Sequence, residues 1–416
     1  MSSIQALIGI FVLIGVAWAV SESRRKIKPQ QILLGIGLQA GIAFLLLKVP
    51  GLRDWVQVAN RIVGALERAT TEATSFMFGY LAGAPLPFQE TVPGASFIVA
   101  FRVLPLVIVV SALTSLLFYW RILPLVVRAL AFVLQKTLRI SGPSGLGAAA
   151  DVFLGIAEAP LFVRPYLASM TRTELFTVMT CGMASVAGTV MVLYASILGP
   201  GLPDAIGHLV VASVITIPAA IVFAHIMVPE SRASELPTGT WDVPQTADSS
   251  MDAIVRGTLD GVQMLLGIIA MIIVIFALVH LINGGLSLFG EFSGAQITLQ
   301  RILSWVLFPV VWLMGVPATE AEVAARLFGS KIVLNEFVAY MEMAKLPEST
   351  LSAHSRLIMT YGMCGFANLA SLGILIGGLT SIIPQRKKEI LALGFRSLVA
   401  GNLATALTGA LVGLIL

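Results

Sequence analysis

The sequence predicts an all-α integral membrane protein with about eight transmembrane helices and an internal structural repeat. Three observations predict it: the composition, the recurrence of long apolar runs, and one octet that occurs twice. Of the 416 residues, 57% are hydrophobic and 12% are charged, about half the charged share of a typical soluble domain, and mean hydropathy is +0.93. Apolar runs of about 17 residues or more, enough to cross ~30 Å of hydrocarbon, recur from end to end. The 38 glycines are spread through those runs, which suits close helix packing and broken helices in lipid. An outer-membrane barrel would alternate polar and apolar residues in short strands, and this chain does not.

The first run, 4–20, is followed by its basic cluster, Arg24, Arg25, Lys26 and Lys28. A secretory signal carries its charges in front, so a retained helix is expected. The positive-inside rule places the cluster in the cytoplasm and the N-terminus outside. Arg121, Arg128, Lys136 and Arg139 follow the run 97–119, and Arg386, Lys387 and Lys388 precede the run 390–416. Both fit the same side, which leaves the C-terminus outside as well. Further spans are expected near 32–49, 175–197, 205–226, 264–285 and 296–314. Residues 51–75 and 120–140 mix charged residues and Trp with apolar ones at helical spacing, as helices lying along the interface do. The polar stretch 229–252 reads as a loop. No segment matches GxxxxGK[ST], so transport driven by the chain's own ATP hydrolysis is not expected.

Two segments carry the functional argument. "SGPSGLGAAADVFLGIAEAPLFVRPY" is apolar overall, is broken by Gly and Pro, and holds Asp151, Glu158 and Arg164. A charge at membrane depth costs at least ~2.5 kcal/mol at a helix centre and usually has a task. A hairpin over 142–165 that dips part way into the membrane is expected, its backbone buried in protein or lining a cavity; a surface loop is the alternative. In the second segment, "KIVLNEFVAYMEMAK" sets Asn335 and Glu336 in an apolar helical frame, and "CGFANLASLGILIGG" follows.

The repeated octet is "CGMASVAG" from Cys181 and "CGFANLAS" from Cys364, 183 positions apart (364 − 181). Aligned, Ala184 matches Ala367, Ser185 matches Asn368, Ala187 matches Ala370 and Gly188 matches Ser371. Glu158 precedes the first octet and Glu336 the second, so each half offers an acidic residue and then a Cys-Gly-led helix with small and polar side chains. Repeats that each contribute an interrupted helix mark secondary transporters, with substrate near mid-membrane at their interface; chance similarity of two Ala/Gly-rich octets is the alternative. The two cysteines are expected to be small buried hydrophobes without a disulfide. His208, His225, His280 and His354 lack the close spacing of zinc ligands.

"GIAEAPLFVRPY", "ASVAGTV", "GSKIVLNEFVAY" and "CGFANLASLGILIGG", in this order and spacing, resemble the concentrative nucleoside transporter family from about residue 97 onward. The resemblance implies a homotrimer of eight-helix subunits in the cell inner membrane, each with two re-entrant helical hairpins, a scaffold domain and a transport domain that moves nucleosides by an elevator-type motion coupled to a cation. The expected division is an N-terminal scaffold and interfacial segment, 1–96, and a scaffold helix, 97–119. A first transport half, 120–228, has its hairpin at 142–165 and a broken helix at 175–197. A polar loop and scaffold region, 229–319, leads to the second transport half, 320–416, with a helix carrying Glu336 and a hairpin at 354–383. On this template the span at 296–314 joins the helices leading into the second half.

Carried over by position, Glu336, Asn368 and Ser371 match residues that hydrogen-bond the ribose hydroxyls, a role suited to a carboxylate acceptor beside amide and hydroxyl groups. Phe366 offers a ring face, Val190 an apolar wall, and Glu158 falls where the family contacts the base. The alternative for Asn368 and Ser371 is helix–helix hydrogen bonding. Many members have Gln-Thr before the hairpin glutamate, where this chain has Ile156 and Ala157. An apolar site discriminates weakly, so a broader base preference is expected. The coupling-cation positions would be Asp151, Leu154, Ser185 and Val186. Asp151 replaces the family's Asn, and a carboxylate suits either Na+ or H+; a salt bridge from Asp151 to Arg164 is the structural alternative. No cofactor is expected. A passive nucleoside channel remains open, as does an intramembrane enzyme using Glu158, Glu336 and Asp151, although no catalytic motif supports the latter. The net charge of +4 is explained by loop charges that orient helices, without a nucleic-acid partner.

Overall fold

Proline, glycine and capping side chains set where the apolar runs become helices. The computed structural model describes residues 2–91, 96–156, 158–199, 201–202, 204–231, 247–292 and 295–416. It begins with α1 (Ser2–Ala19), α2 (Pro29–Lys48) and α3 (Pro50–Phe78), the last ending where Gly79 takes a φ of 59°. The run expected at 97–119 is split at Pro105 into α4 (Val99–Arg102) and α5 (Leu106–Tyr119), because a proline ring cannot continue the preceding ladder. Then follow α6 (Ile122–Leu138), α7 (Gly142–Ala150), α8 (Ala159–Phe162), α9 (Arg164–Leu167), α10 (Arg172–Ala184), α11 (Gly188–Leu198) and α12 (Ala205–Met227). Of the stretch expected as a loop, 229–252, residues 232–246 lie outside the described residues and 250–252 already belong to α13 (Ser250–Ser287), which starts earlier than the expected 264 because Ser249 caps it by accepting from the Asp252 amide. The remainder is α14 (Leu299–Leu313), α15 (Ala318–Val333), α16 (Glu336–Lys345), α17 (Ala353–Met363), α18 (Leu369–Ile382) and α19 (Lys387–Ile415). Among the described residues, six helices are long and apolar enough to cross a membrane, and Ile4–Ala19, Leu299–Leu313 and Leu369–Ile382 are shorter apolar helices.

The internal repeat is visible in the element order. Residues 122–227 run as a helix, a folded-back pair (α7 on α8), an interrupted helix (α10, α11) and a long helix (α12); residues 299–415 run the same way through α14, α15 on α16, α17 with α18, and α19. The second hairpin therefore lies at 318–345, not at the expected 354–383. α15 packs on α16, whereas α17 and α18 make almost no contact with each other and both pack on α19. An apolar segment with a polar break reads alike in either geometry, and here packing on α19 keeps α17 and α18 apart. Glu336 accordingly starts the returning arm of a hairpin and does not sit inside one helix.

The two hairpins enter from opposite ends of the bundle. Arg386, before α19, donates to the carbonyls of Leu167 and Met170 at the base of the first hairpin (2.9 and 2.7 Å). Ser352, before α17, donates to Glu320 at the base of the second (3.0 Å). α12 and α19 pack together in the centre, while Leu266, Ile273 and Leu281 of α13 are exposed, as on a surface that meets lipid.

Candidate functional site

The polar centre forms where the two helix interruptions meet the tip of the second hairpin. Asn335 caps α16, its Oδ1 accepting from the Val338 amide at 2.9 Å. This sets Glu336 in the first helical turn, where the aligned peptide dipoles favour a carboxylate. Asn368 caps α18 in the same way, its Oδ1 accepting from the Ser371 amide at 2.7 Å, and its Nδ2 donates to Glu336 Oε2 at 2.9 Å. Tyr194 of α11 donates its phenol to Glu336 Oε1 at 2.5 Å. Glu336, Asn368 and Ser371 are all buried, as is Val190, and Phe366 is half-buried. The interruptions themselves are joined: the Phe366 amide donates to the Ser185 carbonyl at 3.0 Å. Gly365 permits this crossing, since a Cβ there would lie 2.6 Å from the Ala184 carbonyl oxygen.

The expected cation positions lie on the turn after α7 and on the break after α10. Asp151 is buried at the C-terminal end of α7, and its Oδ2 has no hydrogen-bond partner among the described residues. Ser185 donates to the Cys181 carbonyl at 2.9 Å. The Phe153 carbonyl, between Asp151 and Leu154, accepts from the Gly188 amide at 3.1 Å. The Ser213 hydroxyl of α12 comes within 3.5 Å of the Val152 carbonyl and 3.4 Å of the Val186 carbonyl, tying the turn after α7 to the break after α10. One carboxylate beside a hydroxyl and backbone carbonyls is a donor set that fits a hard monovalent cation or a proton. Arg164 is exposed and forms no ion pair with Asp151 among the described residues.

Ile156 is buried and flanks the same glycine as Asp151: a Cβ on Gly182 would lie 3.3 Å from Ile156 Cγ1 and 3.4 Å from Asp151 Oδ1. Glu158 is half-buried and accepts from the Gly155 amide at 3.3 Å. Ala157 lies outside the described residues. His208 is paired with Tyr361 at 2.9 Å. Tyr194 and Ser213 are site neighbours that sequence reasoning missed. Tyr194 falls four residues after Val190 on α11, hence on the same helix face, and that spacing was available as a signal.

This architecture matches known proteins along its whole length. A family model described as the Na+ dependent nucleoside transporter C-terminus matches residues 208–413, its N-terminal counterpart matches 8–81, and a model described as nucleoside recognition matches 100–201. An uncharacterized transporter of Haemophilus influenzae is 36% identical over 100% of this chain and 98% of its own. The nucleoside permease NupC of Helicobacter pylori is 34% identical over 99% of this chain and 98% of its own. Solute carrier family 28 member 3 of Homo sapiens is 32% identical over 98% of this chain and 59% of its own. The structure of CNTnw in an inward-facing substrate-bound state superposes with a TM-score of 0.89 at 34% identity, covering 100% of this chain and 99% of that one. A substituted form of the same protein in an outward-facing state also gives 0.89. The chain belongs to the concentrative nucleoside transporter family.

Proposed function

We propose that this protein imports nucleosides across the cell inner membrane by cation-coupled symport. Glu336, Asn368 and Ser371 take the ribose hydroxyls, Phe366 and Val190 flank the nucleoside, and Glu158 with Ile156 and Ala157 faces the base. The observation that carries this reading is the buried Glu336 carboxylate, fixed by Tyr194 on one oxygen and Asn368 on the other. A carboxylate has about four acceptor sites, so acceptor capacity remains for a diol. The protein works as a homotrimer with both termini outside, on the family's pattern and the charge distribution of its loops.

Coupling follows from the backbone link between Ser185 and Phe366. A cation held by Asp151, Leu154, Ser185 and Val186 neutralises the buried carboxylate and fixes the first interruption. That interruption in turn holds the loop bearing Phe366 and Asn368. Each ligand then favours the arrangement the other needs, which is the thermodynamic content of symport. The family description supports sodium, and Asp151 also allows a proton. Alternation between outward and inward access proceeds by an elevator-type movement of the two transport halves, 120–228 and 320–416, against the scaffold.

The test is uptake of labelled uridine and adenosine into proteoliposomes with sodium and proton gradients imposed separately. Accumulation under either gradient supports symport and names the ion. Flux that only follows the nucleoside gradient would make the protein a passive channel. If neither nucleoside moved, the substrate assignment would fail. The apolar Ile156 and Ala157 leave Glu158 as the polar side chain that faces the base, so uridine and adenosine are predicted to compete with KM values within about tenfold of each other; strict selection of one would refute the broad preference.

A further inference from the structure

We infer that Lys331 is a positioning residue for the ribose-binding carboxylate, acting through Asn402 on the loop that carries Asn368. The inference rests on the reading of Glu336 and Asn368 as ribose ligands.

Lys331 lies on α15, the entering arm of the second hairpin, and is 0% exposed. Its Nζ donates to Asn402 Oδ1 at 2.7 Å and lies 5.3 Å from the centroid of the Phe328 ring. None of the ion pairs among the described residues includes it. The charge of Glu336 acts on it at longer range than an ion pair, and burying an ammonium group without a hydrogen-bonded carboxylate is costly, so its retention calls for a use. Asn402, on α19, donates its Nδ2 to the carbonyls of Ala367 (3.0 Å) and Leu398 (2.9 Å). Ala367 directly precedes Asn368, whose Nδ2 reaches Glu336. A closed ring results: Lys331, Asn402, the Ala367–Asn368 loop, Glu336, and back along the hairpin to Lys331.

The chemistry of the asparagine makes the lysine necessary to this ring. An asparagine amide presents an acceptor at one end and donors at the other, while lysine only donates. The carbonyls of Ala367 and Leu398 turn the Asn402 NH2 toward themselves, which leaves its oxygen facing α15, where the lysine supplies the matching donor. Without the lysine that oxygen is an acceptor with no donor, and the tie between the hairpin arm and the Ala367 loop is lost. α19 is already pressed against this loop: a Cβ on Gly401 would lie 3.1 Å from the Ala367 Cβ. Lys331 thereby sets the register between the hairpin tip and the second interruption without touching the nucleoside.

The experiment compares uptake of uridine and 3′-deoxyuridine by the full-length protein in proteoliposomes, with carrier amount and thermal stability measured for every variant. Lys331→Met is expected to raise the KM for uridine about tenfold, the effect of one well-placed hydrogen bond to a charged group. The KM for 3′-deoxyuridine should rise less than about threefold, and Vmax per carrier should change less than about twofold, because only ribose recognition is loosened. Asn402→Ala should reproduce this pattern, and Lys331→Met combined with Asn402→Ala should cost no more than the larger single change, since residues acting through one another are not additive. Equal losses for both nucleosides, a fall in Vmax alone, or additive losses would overturn the inference. If Lys331→Met does not fold, Asn402→Ala decides by the same nucleoside comparison. A wild-type protein that handles uridine and 3′-deoxyuridine alike would overturn the ribose assignment first and this inference with it.

Discussion

The phenol of Tyr194, on α11, donates to Oε1 of Glu336, the first residue of α16, at 2.5 Å. One transmembrane element of the first repeat half thus holds the acidic residue of the second. Because Asn368 donates to Oε2, Glu336→Gln would turn its oxygen to Asn368 and its NH2 to the Tyr194 oxygen, which then accepts instead of donating. The expected result is a rise of about 10- to 100-fold in the KM for uridine, corresponding to the lost charge and to the acceptor oxygen that the diol no longer finds. Tyr194→Phe leaves the carboxylate but frees its orientation, so a smaller rise of about three- to tenfold is expected. Initial rates over a range of uridine concentrations measure both, and an unchanged KM in Glu336→Gln would remove the carboxylate from the substrate site.

Asp151 presents a different case, because its Oδ2 has no hydrogen-bond partner among the described residues. Asp151→Leu removes both the charge and the ligand and should abolish accumulation above equilibrium while leaving nucleoside exchange across the membrane. Asp151→Asn keeps an oxygen ligand but cannot take up a proton under these conditions. Accumulation that persists in Asp151→Asn under a sodium gradient assigns sodium; its loss, with proton-driven accumulation in the wild type, assigns the proton. Full accumulation by Asp151→Leu would place the coupling site elsewhere.

The sequence made the helices legible because lipid requires long apolar runs with internally satisfied backbones. The substrate candidates were legible as polar residues in apolar frames, and Asn335 and Asn368 prove to be helix caps as well as neighbours of the site. The position of the second hairpin was not legible. Whether a chain reverses or continues after a break is decided by packing on a distant helix, here α19. Lys331 was hidden for a similar reason: its partner, Asn402, is 71 residues away, and no local spacing rule joins them. Tyr194 was nearer to view, one helical turn beyond Val190.

Gly365 tests whether the two interruptions must touch. A Cβ there would stand 2.6 Å from the Ala184 carbonyl oxygen and 2.7 Å from Thr405 Cγ2, and neither the backbone nor a fully buried Thr405 can yield cheaply. Gly365→Ala is expected to destabilise by about 1–3 kcal/mol, the usual range for overpacking, and to abolish uptake. Gly377→Ala on α18 is the control, because a Cβ there meets nothing within 4 Å and alanine favours helix. Thermal unfolding in detergent should show a lower Tm for Gly365→Ala and an equal or higher one for Gly377→Ala. Equal Tm values would mean that the crossing is looser than its geometry implies.

Glu22 lies between α1 and α2, outside the membrane-spanning segments, and ties that loop to both repeat halves. Its carboxylate meets Arg172 at the start of α10 (2.8 Å) and Arg396 of α19 (3.6 Å), while Arg172 also approaches Glu389 (3.6 Å). The hydrogen bond from Arg172 holds the Glu22 carboxyl below its ordinary value of 4.5; partial burial opposes this, and the charges of Arg172 and Arg396 add to it. A carboxyl lowered in the folded state contributes stability above its unfolded value and loses it as pH falls through the folded one. The contribution is therefore present at neutral pH and disappears below about 4.5. The pair is partly exposed, so its worth is at most about 1 kcal/mol. Glu22→Gln should lower Tm by at most about 1 °C at pH 7, and the difference from wild type should shrink as pH falls below about 4.5, because the wild-type carboxyl then becomes neutral too. A Tm difference that stayed constant from pH 7 to 3.5 would show that the charge of Glu22 is not what stabilises, since Glu22→Gln keeps the backbone bond to Met227.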